Sequence, residues 1–291
     1  MRQNAGDMDH ASTSPPGDAR GRIAAKFAEL RQRRESALIP YIVAGDPGIE
    51  RTRELVREFA QRGADLIELG VPFSDPMADG PANQRASARG LKAGATLPVI
   101  LAMVAELRRE TEIPLILFGY FNPIFHYGCE RLCRDAAQAG IDALLIVDLP
   151  PEEAAELAAP ARAAGLDLIY LLAPTTPLER SRVIAQNATG FLYYVAVTGV
   201  TGARATLGAD LEEKVRGLRT VTDLPIGVGF GISSPEQARA VAGFADAVVV
   251  GSAISQLIEQ HAASPGMVEI VGDFVAALKD GVLAGSLREA S

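Results

Sequence analysis

One pattern recurs along this chain and restricts what it can fold into. A helical segment ends in glycine, an aspartate follows, and a short apolar strand begins, at residues 61–70, 138–150 and 163–174 and more loosely at 242–254. Glycine closes a helix in the left-handed conformation, and the polar residue marks a short turn into the strand. The apolar runs are continuous rather than alternating, which is typical of parallel strands buried on both faces. The pattern therefore predicts repeated helix–strand units.

Further apolar runs raise the number of predicted strands to eight. They span residues 38–45, 113–120, 190–197 and 224–230, and an extra helix over 22–36 precedes the first strand. Eight strand–helix units in 291 residues predict an α/β fold, a (β/α)8 TIM barrel with an extra N-terminal helix. The alternative, an open doubly wound sheet, would require a GxGxxG fingerprint after the first strand, where the chain reads GDPG. We expect residues 21–285 to form this single domain and residues 1–20 to be a disordered tail.

Composition and charge exclude several classes of protein. The net charge of -8 argues against a general nucleic-acid or anionic-membrane surface. Cys129 and Cys133 lie one helical turn apart with no second pair, so we expect core residues in a reducing cytoplasm rather than a disulfide framework or zinc site. No apolar stretch reaches the roughly 18 residues of a membrane span. Residues 1–20 also lack the apolar segment of a secretory signal.

Glycine-rich sequences follow three neighbouring predicted strands. The loops after strands 7 and 8 read GFGIS (229–233) and VGSAIS (250–255), and the loop after strand 6 reads TGVTG (198–202). Glycine lets the backbone approach an anion, the N–H groups of a helix start donate to it, and Ser252 adds a hydroxyl. Each sequence alone is also explained by glycines that end buried strands. Three at adjacent strand ends favour a phosphorylated substrate.

Two common catalytic devices are missing from the predicted strand ends. No lysine lies where it could form a Schiff base, and no histidines cluster into a metal site. Helices or a helix-entry loop contain all four lysines: Lys26, Lys92, Lys214 and Lys279. The three histidines are scattered, and His126 is interpreted as a solvated loop residue. The chemistry that remains is general acid–base catalysis by carboxylates, with a tyrosine as a further candidate, and without a metal.

Three carboxylates come from one stretch, LIELGVPFSDPMADGP at residues 66–81. Glu68 lies inside the apolar strand, and two readings are open for it. It forms an ion pair with an arginine on a covering helix, or it reaches the pocket mouth, where desolvation raises its pKa to a value useful for proton transfer. Asp79 could return over the mouth from a loop stiffened by prolines, whereas Asp75 is interpreted as a loop-capping or surface acid.

These strings resemble a known family. PYIVAGDPG, ELGVPFSDPMADGP, GYFNPIF, VDLPPEE, GVTGAR, GFGIS and GSAI occur in the order found in the tryptophan synthase alpha subunit, and they cover essentially residues 22–280. The string ELGxPFSDPxADGP is highly specific, and the others are weak singly. The resemblance implies a TIM barrel lyase of tryptophan biosynthesis. Its reaction is retro-aldol cleavage of indole-3-glycerol phosphate to indole and glyceraldehyde 3-phosphate, with no cofactor in this chain.

The resemblance also implies roles for individual residues. Glu68 falls on the family's proton-transferring carboxylate, and Asp79 on the carboxylate that stabilises charge at the indole nitrogen. The family's phosphate-binding positions fall on Gly202, Gly231, Gly251 and Ser252, and its other substrate-binding positions on Tyr41, Tyr193, Thr201 and Phe230. One position departs from the family, since Ala196 stands where a serine is expected.

Finally, the resemblance implies a partner and leaves alternatives. Family members work as an α2β2 heterotetramer with a beta subunit that carries pyridoxal phosphate. The expected interface comprises Asp75 and Pro76, together with a turn at Asn122 and Pro123. The alternatives are a stand-alone indole-3-glycerol-phosphate lyase, a sugar-phosphate isomerase or epimerase on the same barrel, and a non-catalytic barrel that binds a partner.

Overall fold

Eight parallel strands close into a barrel in the order β1 to β8. The structure, a computed structural model, describes residues 21–196, 204–229 and 231–286, with only the backbone of 204–209. The strands are β1 (Ala37–Val43), β2 (Ile67–Gly70), β3 (Leu115–Gly119), β4 (Ala143–Ile146), β5 (Asp167–Leu172), β6 (Leu192–Val195), β7 (Ile226–Gly229) and β8 (Ala247–Val250). The predicted TIM barrel is therefore confirmed.

Helices cover the outside of this barrel. They are α1 (Arg22–Arg33), α2 (Ile49–Gln61), α3 (Pro81–Lys92), α4 (Leu97–Leu107), α5 (Phe121–Tyr127), α6 (Cys129–Ala139), α7 (Ala155–Ala163), α8 (Leu178–Asn187), α9 (Arg204–Leu218), α10 (Pro235–Ala242), α11 (Ser252–His261) and α12 (Met267–Ser286). Over the described ranges, no single helix is long and apolar enough to cross a membrane, although α3 and α4 pass that test together with a 92° bend between them.

The short helix α5 corrects two sequence predictions. Asn122 and Pro123, predicted as a turn, and His126, predicted in a loop, all lie in α5. Proline is compatible with the first helical turn because the N–H group it lacks would have no partner there. His126 is exposed, as the solvated reading requires. Cys129 and Cys133 are both buried on α6, so their prediction as core residues is confirmed.

Strand geometry decides which side chains enter the barrel. Alternate strand residues point to opposite faces. Leu66 belongs to the apolar cluster inside the barrel, whereas Ile67 and Leu69 pack in the outer layer under the helices. The side chain of Glu68 therefore points inward, one layer above Leu66.

Helix α1 closes the bottom of the barrel interior. Its apolar side chains Ile23, Phe27 and Leu30 belong to the same inner cluster as the strand residues. The ring of Phe27 lies 5.8 Å from that of Phe191, which precedes β6. Among the described residues, α1 thus closes the amino end of the interior, and the carboxyl ends of the strands are where TIM barrels carry their active sites.

A partly buried arginine fastens the amino-terminal ends of β3 and β4. Arg108, one residue past α4, donates from Nη2 to Asp142 Oδ2 at 2.6 Å and from Nε to the Gly140 carbonyl at 2.7 Å. It also donates to the Ile113 carbonyl at 2.6 Å. The Asp142 carboxylate accepts in addition from the Leu115 N–H at 2.8 Å. This network stabilises the face of the barrel opposite the open mouth.

Candidate active site

Glu68 is buried within the barrel, and no charged side chain among the described residues pairs with it. Its residue is 1% exposed, and its Oε1 atom accepts no hydrogen bond from the part of the chain that the structure describes. None of the ion pairs formed by the described residues includes it, so the ion-pair reading of Glu68 is wrong. Burial alone raises the pKa of Glu68 to about 8. Near neutral pH this carboxyl group is thus mostly protonated and able to give up its proton.

Asp79 lies in the loop between β2 and α3 and is held from the next strand. The Tyr120 hydroxyl donates to Asp79 Oδ2 at 3.0 Å and accepts from the Ala78 N–H at 3.0 Å. Burial raises the pKa of Asp79, while hydrogen bonds from Tyr120 and from the Asn83 amide lower it. Burial outweighs the hydrogen bonds, so the pKa of Asp79 lies above its ordinary value, while the Tyr120 hydroxyl is directed at Oδ2.

Two buried tyrosines lie near the carboxylates. Tyr41 on β1 pairs in register with Glu68, and its ring lies over Gly70, where an added Cβ would come within 2.4 Å of the phenol oxygen. Tyr193 on β6 lies over Gly229 in the same way, at 2.1 Å. Burial raises the pKa of both phenols well above the ordinary value, and the nearby carboxylates add to that effect. Both tyrosines are therefore neutral, and the glycines make room for their rings.

The ends of β7 and β8 provide backbone donors. Gly231 adopts a φ of 77°, which favours glycine, and Gly251 and Ser252 begin α11. Helix α11 has no side-chain cap, in contrast to α10, whose N-cap Ser234 accepts from a backbone N–H. The first N–H groups of α11 are thus open to an anion at the positive end of the helix. Thr201, Gly202 and Phe230 lie outside the described residues.

The predicted interface residues lie on the rim of the mouth. Asp75 and Asn122 are exposed, and Pro76 and Pro123 are half-buried. Two apolar side chains without a predicted role lie next to them: Met77 is 90% exposed and Phe125 is 57% exposed. Met77 is an apolar residue in a proline-rich loop that also carries two aspartates. This unusual position could have predicted from sequence that Met77 lies on an interaction surface.

Sequence predicts no role for Tyr120, although its hydroxyl donates to Asp79 Oδ2. Tyr120 ends the β3 region in the string GYFNPIF. A tyrosine at a strand end is the detectable signal for Tyr120. Over the described ranges, no group of three or more His, Cys, Asp or Glu side chains could hold a metal ion.

Known proteins are similar to this chain in sequence and in fold. The sequence profile of the tryptophan synthase alpha chain matches residues 27–281. This chain belongs to the tryptophan synthase alpha chain family. The family identification confirms the resemblance carried by the seven strings.

The alignments with individual relatives cover nearly the whole length of each relative. The tryptophan synthase alpha chain of Geobacter sp. (strain M21) is 55% identical over 265 residues, which cover 91% of this chain and 99% of that one. The crystal structure of tryptophan synthase subunit alpha from Legionella pneumophila str. Paris has a TM-score of 0.84 at 39% identity, covering 90% of this chain and 98% of that chain. A chain of Mycobacterium tuberculosis tryptophan synthase has a TM-score of 0.82 at 33% identity, covering 90% and 98%.

Membership of the family defines the reaction. Tryptophan synthase alpha chains are lyases that cleave indole-3-glycerol phosphate in tryptophan biosynthesis, and the predicted function is confirmed at this level. The family identification disfavours the sugar-phosphate isomerase and epimerase alternatives. In the family, the alpha chain works with a beta subunit.

Proposed function

We propose that Glu68 and Asp79 perform the cleavage of indole-3-glycerol phosphate in this chain. The observation that carries the proposal is the carboxyl group of Glu68, which is buried inside the barrel with an oxygen that accepts no hydrogen bond from a described residue. A buried polar atom without a partner costs free energy, so a functional use for it is a better explanation than stability. The bound substrate would provide the missing partner.

Glu68 would transfer a proton in both directions. With its pKa raised to about 8, it begins as an acid and protonates C3 of the indole ring. The resulting carboxylate then removes the proton from the hydroxyl on the adjacent glycerol carbon. The O–H electrons form the aldehyde carbonyl, the carbon–carbon bond breaks, and its electrons restore the aromatic indole. Glu68 regains its proton, so no further reactant is needed.

Asp79 would stabilise the intermediate of this sequence. Protonation at C3 places positive charge on the indole N–H, and a fixed carboxylate beside that group lowers the energy of the charged state. The hydrogen bond from Tyr120 supports this role because it holds the Asp79 carboxylate in one orientation. Tyr41 and Tyr193 would enclose the ring system between β1 and β6.

The phosphate would bind at the ends of β7 and β8. Gly231, Gly251 and Ser252 supply backbone N–H groups and one hydroxyl, and the uncapped start of α11 supplies a positive dipole. Residues of the loop after β6, including Thr201 and Gly202, would complete the site. A site of this kind holds the far end of the substrate while the bond beside the ring is broken.

We further propose that this chain forms an α2β2 complex with a beta subunit that carries pyridoxal phosphate, in the cytoplasm. The contact would involve Asp75, Pro76, Asn122 and Pro123. The exposed side chains of Met77 and Phe125 support this surface, because apolar side chains on the rim of the mouth would be buried by a partner. This chain itself would need no cofactor for the proton transfers described above.

The test is release of indole from indole-3-glycerol phosphate, measured with and without a beta subunit. We expect Glu68→Gln and Asp79→Asn each to lose at least about two decades in rate, the usual contribution of an acid–base or charge-stabilising group. Glu54→Gln, which amidates a half-buried glutamate paired with Arg51 on the outer helix α2, is the matched control and retains the wild-type rate. Unchanged rates in both active-site variants would overturn the proposal, and no activation by the beta subunit would favour a stand-alone lyase.

A further inference from the structure

The hydroxyl of Tyr120 bonds to two neighbouring positions of the loop between β2 and α3. It donates to Asp79 Oδ2 at 3.0 Å and accepts from the Ala78 N–H at 3.0 Å. Tyr120 lies one residue beyond β3 and is 6% exposed, and its ring centroid is 5.4 Å from that of Phe73. A buried phenol with both hydrogen bonds made is held in one position, and the carboxylate to which it donates is held with it.

Other contacts hold the backbone around Asp79. Its N–H donates to the Pro76 carbonyl at 3.0 Å, and its carbonyl accepts from Gln84 Nε2 at 2.8 Å. The first turn of α3 is joined in turn to α11, because Asn83 Oδ1 accepts from the buried Ser255 hydroxyl at 2.9 Å. These bonds keep the loop backbone in place when the hydrogen bond to the carboxylate is removed.

We propose that Tyr120 is a positioning residue that engages Oδ2 of Asp79 and thereby presents Oδ1 to the N–H group of the indole ring. The inference deepens the proposed function and rests on it, since it assumes that Asp79 stabilises positive charge at that nitrogen. A carboxylate that rotates freely meets the ring in several orientations, and few of them place an oxygen beside the N–H. Engaging Oδ2 removes this freedom before the substrate binds, which is the condition for electrostatic stabilisation of a developing charge.

The same hydrogen bond favours the ionised form of Asp79, which the charge-stabilising role requires. Burial raises the pKa of Asp79, and the donor from Tyr120 opposes that rise. The other titratable groups around the site, among the described residues, are Glu68 on β2, Tyr41 on β1 and Tyr193 on β6. Both of these tyrosines are neutral, and Glu68, with a pKa of about 8, is protonated in the acidic range. The acidic limb of the pH–rate profile therefore reports the ionisation of Asp79.

Tyr120→Phe removes the hydroxyl and keeps the ring beside Phe73. Ala78 is exposed, so water can accept from its N–H group in the variant. We expect kcat to fall about tenfold, the effect of losing one hydrogen bond to a charged group, with KM within about twofold because the proposed phosphate site is untouched. Asp79 is protonated more readily without this donor, so the acidic limb should move to higher pH.

Tyr127→Phe is the matched control. The Tyr127 hydroxyl also donates to a carboxylate, Asp135 Oδ2, at 2.8 Å, but this pair joins α5 to α6 among the outer helices. The variant therefore loses the same atom and the same type of hydrogen bond away from the candidate active site. We expect its kcat, KM and pH profile to match the wild type, and urea denaturation checks that both variants are folded under the assay conditions.

A double-mutant cycle measures whether Tyr120 acts through Asp79. The rate of indole release is compared for the wild-type chain, Tyr120→Phe, Asp79→Asn and the double variant. We expect Tyr120→Phe to cause no further loss in the Asp79→Asn background, because no carboxylate is left to position. A residue that merely supports the fold would lower the rate by the same factor in both backgrounds.

The possible results separate the inference from the proposed function. If Asp79→Asn loses activity while Tyr120→Phe keeps the wild-type kcat and pH profile, this inference is overturned and the proposed function stands. An equal loss of kcat in Tyr127→Phe, an acidic limb that stays in place in Tyr120→Phe, or a further loss in the double variant would each overturn the inference as well. If Asp79→Asn is itself fully active, the proposed function fails first and this inference fails with it.

Discussion

Glu68 places function and stability in conflict at a single side chain. An ionised carboxylate at a dry site with an unpaired oxygen is unfavourable, which is why burial raises the pKa of Glu68 from 4.5 to about 8. Between these two values the folded protein holds a proton that the unfolded chain has released. Folding stability therefore falls as the pH rises from about 4.5 to about 8, and the loss is complete above the higher value.

Glu68→Gln should consequently stabilise the protein at neutral and alkaline pH while it removes activity. The gain in free energy of unfolding is near zero at pH 4.5 and grows to the order of a few kcal/mol by pH 8, because glutamine carries no charge to bury. Urea denaturation of wild type and variant across this range measures this gain, with Glu54→Gln on the outer helix α2 as the control. Parallel stability curves for Glu68→Gln and wild type would show that Glu68 is not buried as the structure has it.

The sequence could predict the site residues that depend on local pattern. An inward Glu68 follows from the two-residue period of a strand, and Asp79 follows from a short proline-rich loop at a strand end. The contacts of Tyr120 and Ser255 could not be predicted in the same way. Tyr120 bonds to a residue 41 positions away, and Ser255 to one 172 positions away. Such contacts depend on how strands and helices are arranged in the closed barrel, which no local pattern contains.

At the scale of elements, the two ends of the strands have different tasks. The carboxyl ends carry the carboxylates and glycines of the site, whereas the amino ends are fastened by Arg108 and Asp142. Sequence located all eight strands, but it extended most of them beyond their observed ends, since apolar residues continue into buried loops. The error at α5 has a similar origin: proline signals a turn in sequence, yet it also fits a helix start.

Arg108→Ala should reduce folding stability without changing catalysis. Removing the arginine leaves the Asp142 carboxylate, whose side chain is 7% exposed, without its closest cation. Because Arg22 Nη1 still donates to Asp142 Oδ1 at 3.1 Å, we expect a loss of about 1–3 kcal/mol in the free energy of unfolding, the usual cost of leaving buried oxygens without a donor. Because the change lies at the face opposite the mouth, kcat and KM of the folded enzyme should be unchanged. Urea denaturation and steady-state kinetics measure the two quantities.

The neighbouring Arg109 provides the control for this experiment. It is exposed, and Arg109→Ala should change the unfolding free energy by no more than about 0.5 kcal/mol. An Arg108→Ala variant as stable as Arg109→Ala would contradict the role assigned to the buried network. A lower kcat for fully folded Arg108→Ala would show that the amino ends of the strands also affect catalysis.

At the scale of the whole molecule, a barrel closed at one end directs both substrate and partner to the other. Helix α1 fills the bottom of the interior, so the open mouth is the route to Glu68. The loop that carries Asp79 also exposes Met77 on the same rim. A beta subunit docked there would contact the catalytic loop directly. Binding of that partner would therefore act on Asp79 through the loop that bears it.

Phe125→Asp tests this arrangement. Phe125 is 57% exposed on α5, beside the proposed contact residues, and burying a charge in place of its ring should raise the Kd for the beta subunit by at least about tenfold. The uncomplexed rate of indole release should be retained, because Phe125 contacts Phe121 rather than the carboxylates. Val183→Asp, which replaces an apolar residue 42% exposed on α8, is the matched control and should leave the Kd unchanged. Equal Kd values for both variants, measured by titration of labelled beta subunit, would remove Phe125 from the interface.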